Sequence, residues 1–346
     1  MNKNYDILDL TKYILSIFVV AIHSRLGFCA PHLFPWLRLA VPMFFIISSF
    51  FVFSKVQGMD SNSGWKIINR TAKRLLTLYL FWLVVQLPYV VNYRQGWFGL
   101  GVPFGLYVTF MNTILSSTFP ASWFIVATIE SLYLIYFFRV FKGGRFRKAF
   151  SFVPLVLYLF CCFWSCYSDL PMPIKGLNSF MRQFVVYVCK PSHCFLVALL
   201  WVQAGALIAD GKIRLGRKWL LLIAVASGVL LFFESKFVRG LVGGRDCECY
   251  VFLIPLAISL FLLIKDVDIS LKCAPTLRKI SVITYCSHCC VYYLIGFLSI
   301  FQSVNWPMAT VLVVRFSLTL LICNLFALLL IKLENRPHFK WLRYSH

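Results

Sequence analysis

Long apolar windows recur along this chain, and they restrict it to a helical membrane architecture. A helix of roughly 20 apolar residues spans a bilayer and satisfies its own backbone polar groups, as lipid requires. The pattern predicts such helices at about 13–30, 38–54, 75–93, 123–141, 149–166, 194–209, 219–235, 250–264, 281–301 and 308–331. The predicted fold is all-α and polytopic, with about ten transmembrane helices. Composition agrees, at 60% hydrophobic, 13% charged and mean hydropathy +0.81. Nearly every residue falls in a span or a short loop. The expectation is therefore one integral membrane domain over residues 1–346, with no separate soluble domain. The first apolar run is long and lacks a small-residue cleavage site, so no cleavable signal peptide is expected.

The net charge of +22 would point to nucleic acid in a soluble protein. Here topology accounts for it, and no nucleic-acid partner is expected. Basic clusters fall in alternate segments: Lys3 and Lys12; Lys55, Lys66, Arg70, Lys73 and Arg74; Arg139, Lys142, Arg145, Arg147 and Lys148; Lys212, Arg214, Arg217 and Lys218; Lys265, Lys272, Arg278 and Lys279; Lys332, Arg336, Lys340 and Arg343. The intervening loops carry only scattered cations: Arg25, Arg38, Arg94, Lys175, Arg182, Lys190, Lys236, Arg239 and Arg245. This bias predicts both termini in the cytoplasm.

Segment 98–118 is apolar but broken by Gly99, Gly101, Pro103 and Gly105. A full span there would reverse every later loop, so the segment is read as interfacial or re-entrant on the outer side. Cysteines 161, 162, 286, 289, 290 and 323 read as small packing residues. Cys247 and Cys249 in one outer loop, with Cys166, Cys189 and Cys194 near another, leave a disulfide open without fixing its partners. The run Cys286-Ser-His288-Cys289-Cys290 is not read as a metal site, because adjacent positions on a helix point apart.

Lys12 and His23 share one helical face, about 16 Å apart along the axis. Ionisable groups inside a membrane are costly and signal function by default. His23, Glu130, His288 and Arg315 all fall within predicted spans. Structural readings stand beside the functional ones. A lone histidine can serve as a hydrogen bond between helices, and Glu130 can pair with Arg315. A neutral imidazole can instead act as a general base toward a hydroxyl. Arg70, Lys73 and Arg74 read either as a topology anchor or as a phosphate clamp.

These residues resemble the acyltransferase-3 family of integral membrane O-acyltransferases. Asp9-Leu-Thr-Lys12 with His23 is similar to the family's Asp-x-x-Arg and following His, with Lys in place of Arg. Val41-Pro-Met-Phe-Phe-Ile-Ile-Ser48-Ser-Phe50 resembles its second-helix motif, with Ser49 where Gly is usual. Arg70 with Lys73-Arg74, Trp123-Phe124 and Tyr285-Cys-Ser-His288 resemble later motifs. Lys12 keeps the charge but loses the bidentate fork. Ser49 adds a side chain where helices are expected to approach closely.

The resemblance implies transfer of an acyl group, usually acetyl, from cytoplasmic acyl-CoA to a hydroxyl, often on an envelope glycan or lipid-linked sugar. Lys12, Arg70, Lys73 and Arg74 would hold the CoA phosphates. The pantetheine arm would run along the first helix, and His23 would act as catalytic base. Asp9, Ser48, Trp123, Glu130, His288 and Arg315 would support the site. No permanently bound cofactor is expected; acetyl-CoA or another acyl-CoA is the co-substrate. A covalent acyl-histidine is a second route. The expected setting is a bacterial plasma membrane. A flippase for a lipid-linked glycan, using the same cavity and charges, is the alternative. A membrane assembly protein is a third reading.

Overall fold

A computed structural model describes residues 5–99, 101–140, 150–167, 180, 183–241, 247–298 and 306–346. Lys3, Lys142, Arg145, Arg147, Lys148, Lys175, Arg182 and Arg245 lie outside the described residues. The helices are α1 (Asp6–His23), α2 (Phe34–Leu37), α3 (Ala40–Val56), α4 (Ser61–Val85), α5 (Leu87–Phe98), α6 (Val102–Leu115) and α7 (Trp123–Val140). They continue as α8 (Val153–Cys166), α9 (Phe195–Ala209), α10 (Arg217–Leu241), α11 (Leu253–Ile264), α12 (Ala274–Ile295) and α13 (Met308–Glu334). Among the described residues there is no strand.

Five stretches are long and apolar enough to cross a membrane: Phe34–Val56, Trp123–Val140, Gln183–Ala209, Arg217–Leu241 and Met308–Glu334. α6, α8 and α11 are shorter apolar helices. The surface is as telling as the core. Leu76, Leu80 and Val84 on α4, Leu221, Leu222 and Val225 on α10, and Leu321, Leu325 and Leu329 on α13 are all exposed. Such apolar faces on helix after helix suit lipid rather than water. The chain is a multi-pass integral membrane protein.

Local chemistry sets many helix ends. Pro103, Pro154 and Pro275 stand in the first turns of α6, α8 and α12, where no backbone N–H is needed. Asp60 caps α4 by accepting from the N–H groups of Asn62 and Ser63 at 3.0 and 3.1 Å. Glu234, near the end of α10, accepts from the N–H groups of Val251 and Phe252 at 2.6 and 3.0 Å. A buried carboxylate thereby serves the start of α11, where orphan amides carry partial positive charge.

Each predicted window holds a helix, but several ends move. α1 begins at Asp6 and stops at His23, short of the predicted 30. Arg25 then turns left-handed at φ 57° and a single 3-10 turn follows. The third window belongs to α4, which starts at Ser61 because Asp60 caps it there. α4 gives way to α5 at Gln86, whose side-chain amide donates to the Cys286 carbonyl at 2.8 Å. Much of the segment expected to be interfacial or re-entrant is helical. α5 and α6 form a hairpin about Gly101 at φ 105°. The chain turns inward just after it, over 116–122. There Ala121 adopts φ 67° and its carbonyl accepts from the Tyr285 hydroxyl at 2.7 Å.

α3 and α9 are apolar all round and buried on nearly every face, so they pack at the centre of the bundle. Gly205 of α9 sits directly against Ser49 of α3. A Cβ there would lie 2.0 Å from Ser49 Oγ and 2.7 Å from the Ile46 carbonyl oxygen. The close approach expected near residue 49 is present, with the glycine on the opposing helix. α1 packs on α12, α12 on α13, and α10 on α11. All thirteen cysteines are free thiols.

Candidate active site

α1 carries its two marked residues toward different ends of the bundle. Lys12 Nζ lies 3.4 Å from Asp9 Oδ1, one turn away. Arg278, in the first turns of α12, reaches the other oxygen of Asp9 at 3.5 Å. The Lys12 ammonium also stands over the Phe51 ring, 5.1 Å from its centroid. The Asp-x-x-Lys motif is thus a three-membered charge cluster. Arg74 of α4 lies close enough for its charge to act on Lys12. Arg70, Lys73 and Arg74 are exposed on α4 at helical spacing. Arg278 looked like an ordinary loop cation in the sequence, and its place beside Asp9 follows from packing α1 on α12.

His23 ends α1 and opens into a cavity of about 620 Å³. Trp123, Tyr89, Tyr292, Tyr293 and Phe297 supply aromatic walls. Ser117, Pro120 and Ala121 come from the inward-turning segment, and His193, Cys289, Gly296 and Arg315 complete the lining. None of Lys12, Arg70, Lys73 or Arg74 lines it. Between Lys12 and His23 the inner face of α1 is packed, with Leu15, Ser16, Val19 and Val20 buried.

His288 faces His23, with ring centroids 4.9 Å apart. Its Nδ1 lies 2.6 Å from the Tyr285 carbonyl oxygen, and a carbonyl only accepts, so Nδ1 carries the proton. Its Nε2 faces Cys289 Sγ at 3.2 Å and accepts from the thiol. Both ring nitrogens of His288 are therefore engaged. Here the argument from adjacent helix positions fails: the ring, anchored one turn back, brings its far nitrogen to the next residue's sulfur. The donor atoms of His23, His288 and Cys289 lie within 4.8 Å of one another. His288 needs no metal to satisfy its nitrogens.

Glu130 and Arg315 do not pair. Glu130 Oε2 is buried without a hydrogen-bond partner, and the residue does not line the cavity. Arg315 Nη2 donates to the Tyr292 carbonyl at 3.2 Å, and its guanidinium lies over the Tyr292 ring. The two residues stand on α7 and α13, which do not pack against each other closely. Ser48 is half-buried on α3 and does not line the cavity, whereas Trp123 does.

A third histidine, beside His23 and His288, had no mark in the sequence. His193 lines the cavity and meets the Trp123 ring at 5.1 Å between centroids. Behind it, Glu248 receives Lys190 Nζ at 2.6 Å, with His193 Nε2 3.5 Å from the same oxygen. Ser192 donates to its other oxygen. Burial works against ionising Glu248. The charges of His193, Lys190 and Arg38 outweigh it and hold the carboxyl well below the usual carboxylate range.

Fold and cavity together define a polytopic helical membrane protein with a histidine opening into an aromatic pocket. An acyltransferase-3 family model, described as an acyltransferase domain, matches residues 5–328. The chain belongs to the acyltransferase-3 family. It is also similar to an amino-acid racemase from Enterococcus faecalis, 23% identical over 224 residues. That match covers 63% of this chain and 30% of the relative, so the chain spans about a third of its length. No solved structure matches the chain significantly.

Proposed function

We propose that this chain is a membrane O-acyltransferase. It moves an acyl group, acetyl in the first instance, from acyl-CoA to a hydroxyl of an envelope glycan or lipid-linked sugar. One observation carries the reading: His23 opens into an aromatic cavity, while Lys12 and Asp9 stand about three turns away on the same helix, joined there by Arg278 of α12. Ten spans, cytoplasmic termini and a bacterial plasma membrane complete the proposed setting, supported by the alternation of basic loops.

In this mechanism Lys12, Arg70, Lys73 and Arg74 attract the CoA phosphates at the cytoplasmic face. The acceptor hydroxyl arrives in the cavity from the opposite side. His23 takes its proton as the oxygen attacks the thioester carbonyl. The tetrahedral intermediate collapses, the C–S bond breaks, and the departing thiolate receives the proton from His23. His288 already has both nitrogens bonded, so it serves as a positioning neighbour rather than a second base. Trp123 packs against His193 in the cavity wall and helps to shape the acceptor pocket.

Membranes containing the chain are incubated with acetyl-labelled acetyl-CoA and crude envelope glycan, with wild type and His23→Ala compared at equal abundance. Label entering glycan with wild type alone is the expected result. Equal labelling by both proteins removes His23 from the chemistry. No labelling by either, with folded protein, removes acetyl transfer to glycan and favours the flippase reading.

A further inference from the structure

We infer that Arg315 anchors an oxyanion carried by the acceptor, which makes the substrate an acidic sugar bearing a carboxylate or phosphate. The inference deepens the acyltransferase reading by naming the acceptor class, and it rests on that reading for the word acceptor.

The first argument is cost. Arg315 is the lone charge in α13 until Lys332, within a helix whose outward face is apolar. A guanidinium in such a helix persists where it has an anion or a polar cavity to face. Among the described residues Arg315 has no carboxylate partner. Its protein contacts are the Tyr292 carbonyl at 3.2 Å and the Tyr292 ring at 4.0 Å, while Nε is buried with no hydrogen bond. The planar fork of donors is thus only partly used.

The second argument is placement. Arg315 lines the cavity that His23 opens into, and among the described residues no aspartate or glutamate shares that lining. The chain also leaves room for the guanidinium. At Gly296, where α12 ends, a Cβ would stand 2.8 Å from Arg315 Nη2. A side chain at 296 would push the head group from its present seat.

The third argument is the shape of what would fit. The aromatic rings of Tyr89, Trp123 and Tyr293 offer flat apolar faces, suited to the C–H face of a pyranose. The volume of about 620 Å³ lies within the range of small-molecule sites. A guanidinium fork matches the paired oxygens of a carboxylate or phosphate. Phosphates of the donor are poor candidates for this role, since the donor cations stand toward the other end of α1.

The test uses the full chain in nanodiscs without acyl-CoA, so binding is read apart from transfer. The probes are methyl glucuronide, glucose 1-phosphate and neutral methyl glucoside, titrated by calorimetry. Wild type and His23→Ala are both expected to prefer an anionic probe over the neutral one by about tenfold or more. The stronger of the two anionic probes identifies carboxylate or phosphate. Arg315→Gln is expected to erase the preference while still binding the neutral sugar, which shows that the pocket is folded. Arg315→Lys is expected to keep part of it. Absence of anion preference in wild type, or its survival in Arg315→Gln, overturns the inference. So does an equal fall in transfer to neutral and acidic acceptors with binding unchanged, which would assign Arg315 to the reacting oxyanion. Retained anion preference in a protein that never transfers acetyl leaves this inference standing and removes the enzymatic reading.

Discussion

Gly205→Ala is the sharpest test of how the bundle is held together. The added methyl would lie 2.0 Å from Ser49 Oγ, 2.7 Å from the Ile46 carbonyl oxygen and 2.9 Å from the Phe50 nitrogen. The hydroxyl could rotate away, but it would surrender its bonds to the Phe45 and Ile46 carbonyls at 2.7 and 3.2 Å. The two backbone atoms have no such freedom, so α3 and α9 must separate. Overpacking of this kind costs about 1–3 kcal/mol, and two rigid backbone contacts place this case in the upper half. A loss of ~2 kcal/mol or more corresponds to a fall of roughly 3 °C or more in apparent Tm for a chain of this size. Ser49→Gly on top of Gly205→Ala removes the 2.0 Å contact and leaves the other two, so recovery should be partial. The assay is thermal unfolding of purified protein in one detergent, reading both variants against wild type. Wild-type stability in Gly205→Ala, or full recovery in the double variant, would refute the packing argument.

Two further expectations follow from the cavity walls. Glu248 has a folded value below the carboxylate range, so its stabilisation is complete above the unfolded value of about 4.3 and is lost as pH falls through the folded value. Glu248→Gln should therefore lower stability at neutral pH and flatten the acid limb of a Tm–pH profile. Lys190 is 46% exposed, which discounts the loss to the lower part of about 1.5–3 kcal/mol; an unchanged acid limb would count against the ion cluster. Tyr285→Phe removes the hydroxyl that holds the left-handed Ala121 turn, with an expected cost of about 1 kcal/mol. Proteolysis of 116–122 should quicken in that variant, and an unaltered cleavage rate would show that the turn is held by other contacts.

The helices were legible because lipid imposes one solution on a long apolar run, and the windows needed no knowledge of neighbours. Ends were less legible because they depend on partners distant in sequence. α1 stops at His23 although apolar residues continue beyond it, and α4 starts far upstream of its apolar window because Asp60 caps it. His23 could be marked from its own depth and spacing. His193 could not, because its significance comes from Glu248 and Trp123, which lie on other segments. The Glu130–Arg315 pairing failed for the same reason. Opposite charge in two spans says nothing about which helices pack, and α7 packs against α9 whereas α13 packs against α12.

The packed inner face of α1 has a consequence for any donor entering from the Lys12 end. Leu15, Ser16, Val19 and Val20 occupy the interval between Lys12 and His23, a rise of about 16 Å. A pantetheine arm is slender, but it cannot lie along that face while those side chains stay packed. In the proposed reaction, a donor arm that follows this face displaces α1 from a neighbour before the thioester meets His23. α12 is the natural partner to yield, since it carries both Arg278 at the charged end and His288 at the cavity. Phosphates drawn to Lys12 compete with Asp9 for that ammonium and for Arg278, so the anion that binds there also loosens the tie between the two helices. Donor recognition and opening of the route to His23 would then be one event, with the charge cluster acting as its latch.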